Sequence, residues 1–177
     1  RPSNLVIETY VTTTLISDIS KSFGIRIVDD LLVGFKFIAD IIEKLPQKSD
    51  FIFAAEESLG YLRGTFVRDK DAAIAAFLID QVTSWLKDQK KTVIEYLDEI
   101  YQRYGYYKNR LYTREMQGKK GFMKKKEIME RLRCKPPHKL GRLRVLDVID
   151  RLPKGDQISF IVSKDGRTRV TVRPSGT

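Results

Sequence analysis

Short apolar runs alternate with amphipathic stretches through the first 110 residues, and this alternation limits the fold more than any other feature of the chain. Apolar or β-branched runs predict strands at residues 4–14, 25–28 and 51–55. Apolar residues at helical spacing predict helices at residues 17–23, 34–45, 72–87 and 92–104. Strands and helices that follow each other in this way are typical of layered α/β domains. We therefore predict an α/β fold with a three-layer α/β/α domain built on a mixed sheet.

The helix at 72–87 is predicted from a long apolar run. Asp71 has the side chain of an N-cap residue. We predict that the side of this helix facing the core holds Ile74, Phe77, Leu78 and Trp85. After the helix at 92–104 the chain becomes aromatic and basic, and we interpret residues 106–113 as an edge strand.

The chain changes character beyond this stretch. Apolar spacing predicts a helix at 121–132, and Pro136-Pro137 then breaks the regularity, so we place a domain boundary between residues 135 and 136. Short strands are predicted at residues 145–149, 157–163 and 168–173, with a hairpin signal at Asp165-Gly166. Roughly forty residues are too few for an independent core. We therefore expect residues 136–177 to be a truncated α+β domain.

The net charge of +10 is concentrated in one stretch. Residues 119–151 carry twelve Lys and Arg against four Asp and Glu, which accounts for +8. A solvated helix face with a charged hinge explains such a stretch, and so does a field that attracts dianionic sugar phosphates. A nucleic-acid site would need aromatic side chains that stack on bases, and this stretch offers only Phe122. We predict no specific binding of nucleic acid.

Composition excludes further classes of protein and site. No apolar run approaches the roughly 20 residues that cross a bilayer, so we predict no membrane partner. The single cysteine, Cys134, excludes an intramolecular disulfide and favours a reducing compartment. Cys134 and the single histidine, His138, cannot supply the usual ligand set of a zinc site.

Polar residues follow the apolar run at 51–55. Glu56, Glu57 and Ser58 come where the predicted strand ends, and open α/β sheets bind ligands at the carboxyl ends of their strands. A carboxylate can accept hydrogen bonds from two neighbouring hydroxyls, and a serine adds a donor or an acceptor. This set suits a polyol. An acidic turn that caps the next element is the alternative.

The last five residues suit a phosphate group. Arg173 offers a bidentate guanidinium, and Ser175 and Thr177 offer hydroxyls. Gly176 lets backbone N–H groups turn inward, while Pro174 fixes the entry into the turn. The alternative is an ordinary hairpin turn.

Four strings together resemble those of the α-D-phosphohexomutases, the phosphoglucomutase and phosphomannomutase family. The family's sugar-binding loop reads Gly-Glu-x-Ser-Gly-His or Glu-Glu-Ser-x-Gly. Glu56, Ser58 and Gly60 match it, Glu57 takes the variable second place, and Ala55 replaces the usual glycine. Two flanking segments resemble the family's Thr-Gly-Phe-Lys-Tyr-Ile and basic-x-Lys-Asp-Gly; here they read Val33-Gly34-Phe35-Lys36-Phe37-Ile38 and Arg68-Asp69-Lys70-Asp71-Ala72. The terminal Arg173-Pro174-Ser175-Gly176-Thr177 is similar to the phosphate loop of the family's fourth domain.

The resemblance implies an isomerase that acts as an intramolecular phosphotransferase on hexose 1-phosphate and hexose 6-phosphate. It implies a cytoplasmic phosphoprotein that uses Mg²⁺ and has glucose 1,6-bisphosphate as intermediate or activator. The residues it implies for the sugar and the cleft are Glu56, Ser58, Lys36, Arg68 and Lys70, and those for the phosphate are Arg173, Ser175, Gly176 and Thr177. For Lys36, an i,i+4 pair with Asp40 on the helix surface is the alternative.

Two strings of the family are missing from the sequence: the Thr-Ala-Ser-His-Asn-Pro-like loop of the catalytic serine and the Asp-x-Asp-x-Asp-Arg loop that binds magnesium. We therefore expect a fragment that covers the family's third domain (1–135) and the beginning of its fourth (136–177). Such a fragment would have no catalytic or metal-binding residue and would be inactive alone. A phosphopentomutase, a phosphoglucosamine mutase and a basic non-enzymatic binding module remain alternatives.

Overall fold

The computed structural model describes residues 3–174. It divides into two compact units, one up to Arg110 and one from Leu111 onward. Within the described residues, no helix is long and apolar enough to span a bilayer.

A mixed four-stranded sheet forms the centre of the first unit. Its strands are β1 (Leu5–Thr9), β2 (Arg26–Leu31), β3 (Phe51–Glu56) and β4 (Gly60–Leu62), in the spatial order β2-β1-β3-β4. β1 is parallel to both β2 and β3, whereas β4 returns antiparallel to β3. The mixed sheet is confirmed. The short strand β4 was not predicted, since three residues carry too little periodicity to be recognised.

Four helices accompany this sheet: α1 (Leu15–Ser22), α2 (Phe35–Lys44), α3 (Ala72–Asp88) and α4 (Val93–Tyr104). The main core lies between α2 and one face of the sheet. It holds Leu5, Ile7, Phe35, Ile38, Ile42, Phe51, Ala54 and Leu62. Strand side chains two apart and helix side chains three or four apart point the same way, so the two elements share one apolar layer. Each fully buried side chain of this kind contributes about 1.5–3 kcal/mol.

Helix α3 begins as predicted but buries a different side. The Asp71 carboxylate accepts a hydrogen bond from the Ile74 N–H at 3.1 Å, which confirms the N-cap. Phe77 and Trp85, predicted to face the core, are 53% and 51% exposed, and Leu86 is fully buried instead. This part of the prediction was wrong because the helix is apolar on nearly every side, and periodicity then cannot select one.

The edge strand predicted at 106–113 is also wrong, because these residues form no strand. Gly105, with a φ of 95°, ends α4, and the aromatic side chains that follow pack on helices rather than on a sheet. The ring of Tyr106 lies 5.0 Å from that of Tyr101, and the Tyr107 hydroxyl donates to Asp18. High β-propensity means that a side chain packs well on a half-buried surface. The tyrosines of this segment pack on helices α4 and α1 instead of on a sheet.

The second unit combines one long helix with short antiparallel strands. These are α5 (Gly118–Cys134), the pair β5 (Lys139–Leu140) and β6 (Leu143–Arg144), and the sheet β7 (Asp147–Asp150), β8 (Ile158–Ile161) and β9 (Arg169–Val172). Met129 of α5 packs against Ile158 and Phe160 of β8, so the helix supplies part of this small core. The hairpin signal at Gly166, whose φ is 73°, is confirmed. The family boundary placed between 135 and 136 stays a prediction.

Candidate functional site

The polar string after β3 forms a tight hairpin. Glu56 is the last residue of β3 and pairs with Gly60 of β4, which leaves residues 57–59 as the loop. Leu59 has a φ of 60° and is 79% exposed. A bulky residue in the left-handed region is uncommon, and residues with such backbone strain cluster at functional sites. We call residues 56–60 the β3–β4 hairpin.

The Glu56 side chain is buried, with only 5% of its surface exposed. Its Oε1 accepts a hydrogen bond from the Gly34 N–H at 2.6 Å. Gly34, with a φ of 131°, stands immediately before α2, and a residue with a side chain would be strained there. A carboxylate is favoured at a helix N-terminus because the backbone N–H groups there lack partners within the helix. The start of α2 thus holds the carboxylate in place.

Close packing fixes the other end of the hairpin. A Cβ added to Gly60 would lie 2.9 Å from Cε2 of Phe35 and 3.0 Å from Cδ of Lys70. The Lys70 ammonium lies 5.0 Å from the centre of the Phe35 ring and 2.8 Å from Oδ1 of Asp69, and its hydrogen bond lowers the pKa of Asp69. Gly60 is therefore a steric requirement, and Lys70 is kept beside the hairpin.

The carboxyl end of the neighbouring strand β1 adds polar side chains that were not predicted. Thr9 and Thr12 are buried and share a hydrogen bond of 2.9 Å, and the Thr9 hydroxyl donates to Oε2 of Glu57 at 3.4 Å. Glu8, in β1, is also buried. The strand predicted at 4–14 ends at Thr9 in the structure, and the hydroxyls of Thr9 and Thr12 lay within the β-branched run that predicted it. The carboxylate at Glu8 was the available signal, since a strand interior rarely buries one.

Lys36 and Arg68, the two remaining candidates of the first unit, make contacts outside the β3–β4 hairpin. Lys36 is exposed, with its ammonium 5.0 Å from the centre of the Phe37 ring, and Asp40 pairs with Lys44 at 2.6 Å. The Arg68 guanidinium binds the Glu43 carboxylate at 3.1 Å and also donates to the Thr65 carbonyl.

Glu43 lies eight residues after Phe35, about 12 Å further along α2. The hydrogen bond from Arg68, followed by that from Lys48, lowers the pKa of Glu43. The structure therefore brings Glu56, Ser58, Gly60 and Lys70 together and places Arg68 at the other end of the helix.

The second candidate string follows β9. Arg173 is exposed directly after the strand, and Pro174 is the last described residue. Ser175, Gly176 and Thr177 lie outside the described residues, so their predicted role as phosphate ligands stays a prediction.

The described residues do not fit a metal ion. Across 3–174, no group of three or more His, Cys, Asp or Glu side chains is arranged to hold one. The chemistry available at the β3–β4 hairpin is therefore that of hydrogen bonding and charge: a buried oriented carboxylate, an exposed hydroxyl at Ser58 and a nearby ammonium at Lys70. Such a set can donate and accept hydrogen bonds and can attract negative charge, which suits a hydroxylated, anionic molecule.

Comparison with known proteins shows which family the chain resembles. The family description "Phosphoglucomutase/phosphomannomutase, alpha/beta/alpha domain III" matches residues 1–104. A phosphoglucomutase of Staphylococcus aureus (strain N315) is 34% identical over 187 residues, a match that covers 98% of this chain and 34% of the relative. A phosphoglucomutase of Staphylococcus haemolyticus (strain JCSC1435) is 35% identical over 167 residues, covering 85% of this chain and 30% of the relative. The chain thus spans about a third of the length of these relatives.

A solved structure shares the fold. It is the open form of the exocytosis-sensitive phosphoprotein pp63/parafusin, a phosphoglucomutase from Paramecium, with a TM-score of 0.60 at 19% identity. The match covers 99% of this chain and 31% of that protein. The α/β fold predicted from the sequence is confirmed.

Proposed function

Because the chain belongs to the phosphoglucomutase/phosphomannomutase family, we propose that it is the part of a hexose-phosphate mutase that holds the sugar and one phosphate group. The observation that carries the proposal is the β3–β4 hairpin, which presents Ser58 at the carboxyl end of a central strand while the Gly34 N–H orients Glu56. Ligands of open α/β sheets bind at this end of the strands.

On the sugar side, the Glu56 carboxylate accepts hydrogen bonds from neighbouring ring hydroxyls, and Ser58 adds a further one. The Lys70 ammonium, beside the hairpin, attracts the negative charge of the substrate. Lys36, exposed on the first turn of α2, serves the same purpose at the cleft. Arg68 acts further from the ring, since it lies at the Glu43 end of α2.

On the phosphate side, we assign Arg173, Ser175, Gly176 and Thr177 to the phosphoryl group that is not reacting. A guanidinium binds two oxygens of a phosphate at once, and hydroxyls and backbone N–H groups complete such a site. The support is the position of Arg173 directly after β9, where the strand ends and the chain is exposed.

In the proposed reaction, a phosphoserine elsewhere in the whole protein transfers its phosphoryl group to a hydroxyl of the hexose phosphate. The serine P–O bond breaks as the sugar P–O bond forms, the hydroxyl proton passes to a base, and the serine oxygen takes up a proton, which gives a bisphosphate and a free serine. The bisphosphate reorients and returns its other phosphoryl group to the serine. Glu56 and Ser58 contact the middle of the ring, so their hydrogen bonds form again after the reorientation.

Contacts to the middle of the ring do not read the configuration at carbon 2. Glucose and mannose phosphates are therefore both proposed substrates, with pentose and amino-sugar phosphates as the alternatives. The residues of this chain bind and orient; magnesium, which the family implies, would be held by residues outside the described part, and no step here depends on it.

The hairpin assignment is tested by titrating this chain with glucose 1-phosphate and following the binding by NMR. Ser58→Ala should weaken binding about threefold to tenfold, the usual effect of losing one hydrogen bond. Ser84→Ala, on an exposed side of α3, is the matched control and should change nothing. Equal affinities for all three proteins would remove Ser58 from the site, and mutase turnover by this chain alone would contradict its assignment as a binding part.

A further inference from the structure

A groove of about 590 Å³ runs along α5 in the second unit. Its basic lining residues are Arg114, Lys120, Lys124 and Arg131, its one acidic residue is Glu115, and Met116 and Ile128 give it apolar walls. No part of the proposed mutase site uses these side chains. We call this feature the α5 groove.

Helix geometry puts the basic residues in one row. At 100° per residue, Lys124 and Arg131 lie within about 40° of Lys120 around the helix axis. The row extends about 16 Å from Lys120 to Arg131, at 1.5 Å per residue. It therefore presents separated positive charges along a line rather than a single cationic point.

The fourth cation comes from the chain segment that precedes the helix. A Cβ added to Gly121 would lie 2.4 Å from both the carbonyl carbon and the carbonyl oxygen of Met116, so the segment rests directly on the helix at a glycine. Arg114, two residues before Met116, thus forms the opposite wall of the α5 groove. The contact between Met116 and Gly121 therefore fixes this segment against the first turn of α5.

Charge and shape select the class of ligand. Four basic side chains face one acidic side chain, and Lys124 also shares its charge with Glu127 at 3.0 Å. Phe122 lies about 200° around the helix from Lys120, so no aromatic ring of α5 is available for stacking on a base along this row. A line of cations without a stacking ring suits an anion whose charges are spaced and which carries no base.

We propose that the α5 groove binds a small polyanion with at least two phosphoryl groups, such as an inorganic polyphosphate or a sugar bisphosphate. The cations of the row contact the phosphoryl oxygens, and Met116 and Ile128 contact the part between them. This site is independent of the sugar-phosphate role proposed for the β3–β4 hairpin.

The test measures the affinity of the whole 177-residue chain for inorganic tripolyphosphate by calorimetry at low salt. All proteins carry Arg173→Ala, so that the terminal string does not contribute. Lys120→Gln with Arg131→Gln removes both ends of the row and should weaken binding about tenfold or more. Lys124 is kept because its removal would also release Glu127.

Lys119→Gln with Lys125→Gln is the matched control, because removing Lys126 would also release Glu130, 3.8 Å away. It removes the same charge from the same helix, but neither residue lines the α5 groove, and the affinity should change less than threefold. An equal loss from both double variants would show a diffuse electrostatic field and overturn the site, as would the absence of measurable binding.

A second measurement needs no substitution in the helix. Tripolyphosphate should protect Lys120 and Lys124 from amine-reactive labelling, read by mass spectrometry, and should leave Lys119 and Lys126 reactive. Glucose 1,6-bisphosphate in place of tripolyphosphate distinguishes the two ligand sources, and protection by either supports the site. Uniform protection of all four lysines, or tighter binding of an acidic peptide than of either phosphate, would contradict it.

Discussion

The β3–β4 hairpin and the α5 groove both present polar groups to a ligand, but they are held in opposite ways. In the hairpin, the buried Glu56 carboxylate accepts a hydrogen bond from a backbone N–H, and Gly60 packs closely against the Phe35 ring. In the groove, long basic side chains stand on an exposed helix surface. The hairpin depends on close packing, which leaves buried atoms little room to move. The groove depends on exposed charges, whose attraction is weakened by salt. Substitutions at packed positions around the hairpin should therefore lower the stability of the fold strongly, whereas substitutions in the groove should leave stability nearly unchanged and act on salt-dependent binding.

The largest expected effect is that of Phe35→Ala. Phe35 is buried in the core of the first unit and supports both Gly60 and Lys70. Removing its ring leaves a cavity, which should cost about 3–5 kcal/mol in the free energy of unfolding. Chemical denaturation measures this value.

The matched control is Phe122→Ala on α5, where the ring is exposed and the expected change is within about 0.5 kcal/mol. Similar losses in the free energy of unfolding for Phe35→Ala and Phe122→Ala would show that the two regions do not differ in packing.

Gly60→Ala should have an intermediate effect. The added methyl group would approach Phe35 and Lys70 at 2.9 and 3.0 Å. Lys70 can move aside, but Phe35 is packed in the core, so we expect a loss of about 1–3 kcal/mol in stability. Denaturation gives the stability, and a glucose 1-phosphate titration should show weaker binding at the same time. Unchanged stability would mean that the Phe35 ring rotates away and that Gly60 is not a steric requirement.

The smallest expected effect concerns the ion pair of Glu43 with Arg68, which is exposed although it belongs to the first unit. Hydrogen bonds from Arg68 and then Lys48 lower the pKa of Glu43 from its ordinary value of 4.5. The ionised carboxylate therefore stabilises the fold above pH 4.5, and this contribution is lost as the pH falls through the lowered pKa. The difference in Tm between the wild type and Glu43→Gln should be small at neutral pH and should vanish in acid.

At about 1 M salt, where screening acts over about 3 Å, the same difference should also shrink. A pH-independent, salt-insensitive difference would show that Glu43 acts through packing. The contrast between the two regions would then rest on something other than exposure.

The sequence predicts this fold well where elements alternate and poorly where one element is uniform. The positions of β3 and α2 follow from a short apolar run and from apolar residues three or four apart, and both are confirmed. The exposed side of α3 could not be predicted, because Phe77 and Trp85 are as apolar as Leu86, and only packing decides among them. Segment 106–113 failed for a related reason, since its aromatic side chains suit a helix surface as well as a sheet.

The candidate site shows the same limit. Glu56 could be placed at a strand end from the sequence, and its string carried the family resemblance. Its contact with Gly34, 22 residues earlier, could not be derived, because no periodic pattern links the two positions. Thr9 and Thr12 were hidden in a β-branched run, and the row in the α5 groove follows from helix spacing, while Arg114 joins it only through the fold.

The hydrogen bond between Glu56 and Gly34 bears on the order in which helices and the binding site form during folding. It joins the end of a strand to the start of a helix that precedes it in the chain, so it can form only when α2 has docked on the sheet. Contacts between distant parts of a chain form later than local helices, because the chain between them must first lose its freedom. An early folding species with full helix content would therefore lack an aligned carboxylate. During refolding, recovery of sugar-phosphate affinity should trail the circular dichroism signal and coincide with burial of the Phe35 ring.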